Sequence, residues 1–573
     1  MFSIKLRGKK LGVVLAVFMM LFIVYYFSIN DLDTKNEFKK NGFIFEKSNK
    51  HQMSFNSKLV ANDGGWREND QVPIKYNGKI GDKESMIISS SKKPLFSNNR
   101  IVHLDLKGAP PKISYYAEFF PLIRSLGATG VIIEYEDMFP YSRTELSAMN
   151  AYSKLDVESI LKLAKNNELD VIPLIQTFGH LEFVLKLEKY KNHREINKYP
   201  QVICPSKNMS IILLKEMIDD VVSMHPNSKY LHIGCDEVYY LGDCYSCVQK
   251  MVKEKLTKQQ LFLNHVTMLS RYIKEKYPYL TTLTWDDEFR KFSLQELIDS
   301  GIGSLVEPVV WKYTPTIDMY LPEEMWDKYA KVFGNVWVAS AFKGATGPEK
   351  IITDITYHLE NHKAWVNLVN VYTNKINFKG IVMTGWQRYD HFAILCELLP
   401  VGIPSLATNL IYVNSNNIDL NMLLDKVEST IKCGSGFFSN TAGSHCSFVG
   451  SGIYDAAIKL NDLNNQIKVI MESSVVKGWF TQYNIDTGFS NPSHVEEATL
   501  ELDRFKMDLL YLEQDVIKSM NEVYNSDTVK EWIDTNIKPL MMTLQTMWAS
   551  KEKLLERQDW PRRPFSSSHN EDL

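Results

Sequence analysis

The chain has 573 residues, 45% of them hydrophobic and 12% aromatic, with a formal net charge of −3. It is longer than one ordinary domain and too apolar for a disordered one. The near-neutral balance gives no reason to expect a nucleic-acid partner. In chain order, Lys5, Arg7, Lys9 and Lys10 precede an uncharged apolar run from Leu11 to Ile29. About 20 apolar residues suffice to cross a bilayer. The run ends in Val24-Tyr25-Tyr26-Phe27, an aromatic interface anchor rather than a small-residue cleavage site. The expectation is a cytoplasmic tail at 1–10 and a single transmembrane signal-anchor at 11–29. With the positive flank inside, this is a type II protein of the Golgi or another secretory-pathway membrane, its remainder lumenal or extracellular. Residues 30–98 are rich in Lys, Asn, Ser and Gly without apolar period and read as a flexible stem.

Eight apolar runs follow, each with a helical stretch behind it: 101–106, 130–135, 171–176, 230–233, 281–285, 304–310, 336–342 and 380–386. Ser153-Lys154-Leu155-Asp156 is a capping-box pattern ahead of Val157, Ile160, Leu161 and Ala164, spaced for one helix face. Eight strands alternating with helices over about 300 residues predict an α/β fold, a closed parallel (β/α)8 barrel at 99–415. A doubly wound open sheet is the rival, but Gly108-Ala109-Pro110-Pro111 after the first run is no phosphate-binding turn.

The fourth run carries the most chemistry. Tyr230-Leu231-His232-Ile233 is followed by Gly234, Cys235 and the adjacent acids Asp236 and Glu237. Neighbours on a strand face opposite ways, so two adjacent acids can share a task only where the strand ends and the chain turns. In such a barrel that end is where catalytic groups collect. Other strand ends supply Asp105 and Lys107, Glu134 and Glu136, His180, Trp285 and Asp286, Trp311 and Tyr313, Lys343, then Trp386 and Asp390.

Seven cysteines are present. Cys244-Tyr245-Ser246-Cys247 has the spacing of half a zinc site, but no second pair lies at suitable spacing, so a local disulfide or two free thiols is expected and no metal. Asn208-Met209-Ser210 is one acceptor for N-glycosylation, which fits a lumenal glycoprotein. From 416 to 561 the pattern turns to helical hairpins. Ser493-His494-Val495-Glu496 opens a helix with Leu502, Phe505, Leu509, Leu512 and Val516 on one face, a packing stripe docked on the barrel or on a second copy as homodimer. Residues 562–573 read as a disordered tail.

His232–Glu237 resembles the His-x-Gly-[Gly/Cys]-Asp-Glu signature of glycoside hydrolase family 20, the β-N-acetylhexosaminidases. Longer segments at 102–111, 134–141, 176–180, 234–242, 341–348 and 384–391 are similar to its hexosaminidase D subgroup. The resemblance implies a TIM barrel and hydrolysis without a protein nucleophile or cofactor: the substrate's 2-acetamido oxygen attacks the anomeric carbon. Glu237 would be the general acid and then base. Asp236 would stay ionised, orient the acetamido N–H and, as a neighbouring charge, keep Glu237 protonated. His180 would support the acid, Trp285, Trp311 and Trp386 would wall in the acetamido methyl, and Tyr313 would donate to its oxygen. Asp105, Glu136, Asp286 and Asp390 complete the expected sugar contacts. Three departures stand out: no arginine on the first strand, Phe342-Lys343 for the family's Tyr-x-Asp, and Trp386-Gln387-Arg388 for its Trp-x-Glu.

The function expected is removal of terminal β-linked GalNAc or GlcNAc from glycoconjugates by retaining, substrate-assisted hydrolysis. A Golgi-type glycosyltransferase, with Asp286-Asp287-Glu288 as a metal-holding cluster, and an inactive sugar-binding relative are the alternatives.

Overall fold

The computed structural model describes residues 95–96, 99–415, 418–439 and 445–565. The expected tail, membrane anchor and stem, and the C-terminal disordered tail, lie outside the described residues apart from 95–96 and 562–565. The type II membrane localisation is corrected: no helix among the described residues is long and apolar enough to cross a membrane.

Eight parallel strands close into a barrel, each paired with its two neighbours in chain order. They are β1 (Arg100–Asp105), β2 (Gly130–Glu134), β3 (Asp170–Leu174), β4 (Tyr230–His232), β5 (Thr281–Trp285), β6 (Val306–Trp311), β7 (Val336–Lys343) and β8 (Phe378–Gly385). Each expected run yields a strand, with bounds within two residues. Closure between β8 and β1 pairs Arg100 with Ile381 and Val102 with Met383. Ile101, Ile132, Ile172, Leu283, Val309, Trp337 and Val382 fill the interior in side-chain layers, a packed core rather than a pore.

The crossover helices form where the periodicity demands. Ser153 caps Lys154–Asn166 with a reciprocal bond to Asp156, and Val157, Ile160 and Ala164 are buried. A two-stranded antiparallel ribbon, Arg194–Ile196 with Tyr199–Ile203, interrupts the β3–β4 crossover.

The segment expected as one helix from Ser493 forms two, with the stripe on the second. Pro492–Ala498 ends before Leu502–Val523 begins, and Leu502, Phe505, Leu509, Leu512 and Val516 are all buried on the longer helix. At roughly 2 kcal/mol for each buried side chain this face contributes strongly to packing the C-terminal helices together. The helical region also meets this chain's own barrel. Lys112 N–H donates to the Val523 carbonyl at 2.7 Å, and Leu399 N–H donates to the hydroxyl of the buried Tyr524 at 3.2 Å. Arg388, in the loop after β8, forms a two-pronged pair with Glu531 at 2.6 and 2.9 Å. The helices therefore buttress the loops at the C-terminal mouth of the barrel.

Candidate active site

The fourth strand is short because its end is held open by specific neighbours. Gly234 has φ +67°, and a Cβ there would lie 1.8 Å from Gln176 Oε1, so only glycine lets that side chain under the backbone. The Gly234 carbonyl accepts from Thr284 Oγ1 at 2.7 Å and from Trp285 N–H at 3.0 Å. The chain then turns through Cys235 (φ +73°), Asp236 and Glu237 (φ +47°). A left-handed non-glycine residue costs about 1–2 kcal/mol, and here the Glu237 N–H is fixed by Asp287 Oδ2 at 3.0 Å. Gly179 touches the turn from the other side; a Cβ on it would sit 2.1 Å from the Asp236 carbonyl oxygen.

The turn aims both carboxylates at His180, itself at φ +51°. His180 Nε2 lies 3.0 Å from Glu237 Oε2 and 3.6 Å from Asp236 Oδ2. The two acids differ in surroundings. Glu237 keeps 31% of its side chain exposed, whereas Asp236 keeps 9%. No donor of another residue reaches Asp236 Oδ1 among the described residues. Burial pushes Asp236 up to about 6, partly offset by His180 and reinforced by Glu237. Burial also pushes Glu237 up, but the hydrogen bond and charge of His180, with help from Tyr239 and Lys291, bring it below the ordinary carboxylate range. His180 loses to burial and gains more from Asp236 and Glu237, so its pKa is well above the usual value. The direction for Glu237 is opposite to the one expected from Asp236 alone, because His180 outweighs it. The His180 ring beside both acids favours its own charged form and opposes protonation of Glu237.

Aromatic rings form the adjoining wall. Trp311 stacks on Tyr313 at 5.2 Å, Tyr313 meets Trp386 edge-on at 6.4 Å, and Trp386 lies 6.1 Å from Trp285. Trp311 Nε1 donates to Asp287 Oδ1 at 3.2 Å, which ties the wall to the turn that holds Glu237. Trp285 is 1% exposed and closes the barrel interior from above, with an indole N–H that meets no protein acceptor among the described residues.

Four residues expected to contact the sugar make other contacts in the structure. Asp286 is fully buried, paired with Arg290 and bonded to Tyr329 Oη at 3.0 Å; its neighbour Asp287 faces the acids instead. Asp105 is bonded to Lys107 Nζ at 3.1 Å and to Gln387 N–H at 2.8 Å. Glu136 is buried against Lys107 at 3.2 Å and against His391. Burial, with Glu134 and Asp105 nearby, raises the Glu136 pKa well above normal despite Lys107. Asp390 Oδ1 accepts the N–H groups of Phe392 and Ala393, which holds its own turn. Lys343 likewise donates to the carbonyls of Trp386 and Glu397 at 2.6 and 2.8 Å, a loop brace rather than a sugar ligand.

Asp287 was missed because alternation along an extended strand makes the first acid after Trp285 look inward-facing, whereas the chain has already entered a 3-10 turn at Asp287–Lys291. The glycosylation expectation also changes: Asn208 opens the helix Asn208–Met224, and Ser210 is buried with its hydroxyl 3.3 Å from His193 Nδ1. Cys244 and Cys247 form no disulfide; among the described residues Cys433–Cys446 is the one that does, and five cysteines are free.

Residues 120–305 match the catalytic domain of glycosyl hydrolase family 20. Human Hexosaminidase D is 39% identical over 457 residues, 78% of this chain and 93% of its own length. The Bos taurus Hexosaminidase D is 48% identical over 314 residues, 54% of this chain and 90% of its own. A solved β-N-acetylhexosaminidase from Bacteroides fragilis overlays at TM-score 0.44 and 18% identity over 59% of this chain and 70% of its own, too loosely to assign any residue. With two acids, a histidine and an aromatic wall gathered at the mouth of a parallel barrel, and with a relative of this similarity over nearly its whole length, the chain belongs to glycoside hydrolase family 20 and is a β-N-acetylhexosaminidase.

Proposed function

We propose that this enzyme is exo-acting, removes terminal β-linked GalNAc or GlcNAc from glycoconjugates, and uses the sugar's own 2-acetamido oxygen as nucleophile. The observation that carries this reading is the unequal pair: a buried Asp236 with an unsatisfied Oδ1, beside a partly exposed Glu237 bonded to His180. The acetamido N–H donates to Asp236 Oδ1, which orients the amide oxygen toward the anomeric carbon. The proton on the His180–Glu237 bond passes to Glu237, and Glu237 delivers it to the leaving oxygen as the glycosidic bond breaks. The amide oxygen bonds to the anomeric carbon, and ionised Asp236 stabilises the positive oxazolinium that results. Glu237, now a carboxylate, takes a proton from water, whose oxygen reopens the ring with retained configuration.

Two acids adjacent in the chain suit this route better than a covalent one, which needs carboxylates about 5 Å apart on opposite sides of the scissile bond. Trp311, Tyr313 and Trp386 supply the apolar wall for the acetamido methyl, above Trp285. The barrel at 99–415 does the chemistry and the helices at 416–561 brace its loops. Paired nitrophenyl GlcNAc and GalNAc substrates, assayed with a thiazoline mimic of the intermediate, test the proposal. Competitive inhibition by the mimic is expected. A covalent sugar adduct on Asp236 or Glu237, seen by mass spectrometry, would refute it.

A further inference from the structure

Away from the catalytic pair, the fold brings together four side chains that the hydrolytic chemistry does not use. Cys204 ends the antiparallel ribbon, Glu195 sits in its first strand, and Cys244 and Cys247 open the helix Tyr245–Glu254. Cys204 Sγ lies 3.3 Å from Cys244 Sγ and 3.5 Å from Cys247 Sγ, and Glu195 Oε2 lies 3.1 Å from Cys247 Sγ. All four donor atoms fall within 4.8 Å of one another; Glu195, Cys204 and Cys247 are buried and Cys244 is half-buried.

Three features separate this group from an accidental thiol cluster. First, Glu195 is oriented. Its Oε1 accepts the N–H groups of Gly242, Asp243 and Cys244 at 2.9, 2.9 and 3.0 Å, which leaves Oε2 directed at the sulfurs. None of these contacts is to a cation, so a buried carboxylate faces three thiols with no positive partner among them. Second, the sulfurs receive hydrogen bonds suited to thiolates: Cys247 N–H donates to Cys244 Sγ at 3.3 Å and Ser206 Oγ donates to Cys247 Sγ at 3.1 Å. The N-terminus of a ten-residue helix adds its partial positive charge. Third, the spacing fits a metal and not a disulfide. Tetrahedral zinc with Zn–S of about 2.3 Å sets its sulfurs roughly 3.7 Å apart, within a few tenths of an ångström of the present distances. A disulfide draws two sulfurs to about 2.05 Å and leaves the third thiol unpaired.

We propose that Cys204, Cys244, Cys247 and Glu195 Oε2 bind one zinc ion in a closed, four-coordinate structural site. Soft thiolates select zinc over magnesium or calcium, and four protein ligands leave no position open for water. The three thiol protons leave to solvent as the metal binds.

The place of the site gives it a purpose. It joins the ribbon to the segment that directly follows Glu237, where Tyr240 and Gly242 hold positive φ. The same ribbon touches the His180 loop through Leu181 N–H to the Gln201 carbonyl at 3.0 Å and Ile203 N–H to the Phe178 carbonyl at 3.2 Å. One ion thus anchors both loops that converge on the acid. The sequence alone hid this site because the third thiol lies 40 residues before Cys244 and the fourth ligand is a glutamate.

The test uses the full chain purified under reducing conditions without chelator. Elemental analysis should find about one zinc per chain. After chelation, added Co²⁺ should give the thiolate-to-cobalt charge-transfer band in the near ultraviolet. Cys204→Ser and Cys247→Ser should lose both signals, whereas Cys396→Ser should keep them. Glu195→Gln, which keeps an acceptor for the three N–H groups, should weaken zinc binding about 10- to 100-fold. If the serine variants fail to fold, the wild-type measurements still decide. Absence of zinc together with no cobalt band would overturn the site, as would thiol titration of the denatured protein finding a disulfide among these three cysteines.

Discussion

Two halves of the barrel mouth carry buried acids, and they are built to opposite ends. On the β1–β2–β8 side, Lys107 is surrounded by Asp105, Glu134 and Glu136 at 3.1, 3.6 and 3.2 Å, while His103 holds Glu134 at 2.9 Å. Every one of these side chains is at most 2% exposed. On the β4–β5 side, Asp236 and Glu237 keep one unsatisfied oxygen and one exposed carboxylate between them, with a histidine in place of a lysine. Buried ion pairs hold loops in register; a partly exposed pair retains interactions for a substrate. Acids at strand ends are thus not evidence of catalysis in themselves, and what sets the Asp236–Glu237 side apart is a partly exposed carboxylate bonded to a histidine.

The sharpest contrast comes from removing charge on each side. Glu237→Gln should lower kcat/KM on nitrophenyl substrates by about 10³-fold, roughly 4 kcal/mol of transition-state stabilisation, without shifting the unfolding midpoint. Asp236→Asn should come close to it. Activity within tenfold of wild type in either variant would erase the distinction between the halves. Lys107→Met should do the reverse. It strands three buried carboxylates, so denaturant unfolding should show a loss of about 3 kcal/mol. An unchanged midpoint would mean that protons, not Lys107, neutralise the network.

Next in size is the pH response. Asp236 works ionised and its pKa is about 6 in the fold, so kcat/KM should fall as pH drops through about 6. The alkaline limb reports the proton shared by His180 and Glu237, a property of the pair. His180→Gln removes the cation that holds Asp236 down and the group that stores the proton. The acid limb should move up and the alkaline limb down, narrowing the bell, with a loss of roughly tenfold at pH 6. A profile of unchanged width would remove His180 from the proton path. Smallest is Glu531→Gln, which weakens the brace on Arg388. A partly exposed pair is worth about 1 kcal/mol or less, so a slight fall in melting temperature and under threefold in activity are expected. A tenfold loss would make the helical buttress part of the catalytic apparatus.

Much of this molecule is legible without coordinates. Alternating apolar runs specify the parallel barrel because a strand buried on both faces must be apolar throughout, and Gly234 ahead of Asp236-Glu237 marks a strand end where adjacent acids can turn to one side. Long-range pairing was not legible. Asp105 with the Gln387 N–H is 282 residues apart, Arg388 with Glu531 is 143, and Cys204 meets Cys244 only because the ribbon folds back. The helix break before Leu502 was hidden for a related reason, since the apolar spacing persists across it.

The sequence by itself determined the element order, the barrel and the placing of Asp236 and Glu237 at a strand end, because periodicity and strand ends are local properties of the chain. The tertiary structure alone decided which acids are buried in ion pairs and which stay partly exposed, and that Asp287 rather than Asp286 faces the catalytic turn. Those outcomes depend on burial and on partners supplied by distant segments, and neither is written in local spacing.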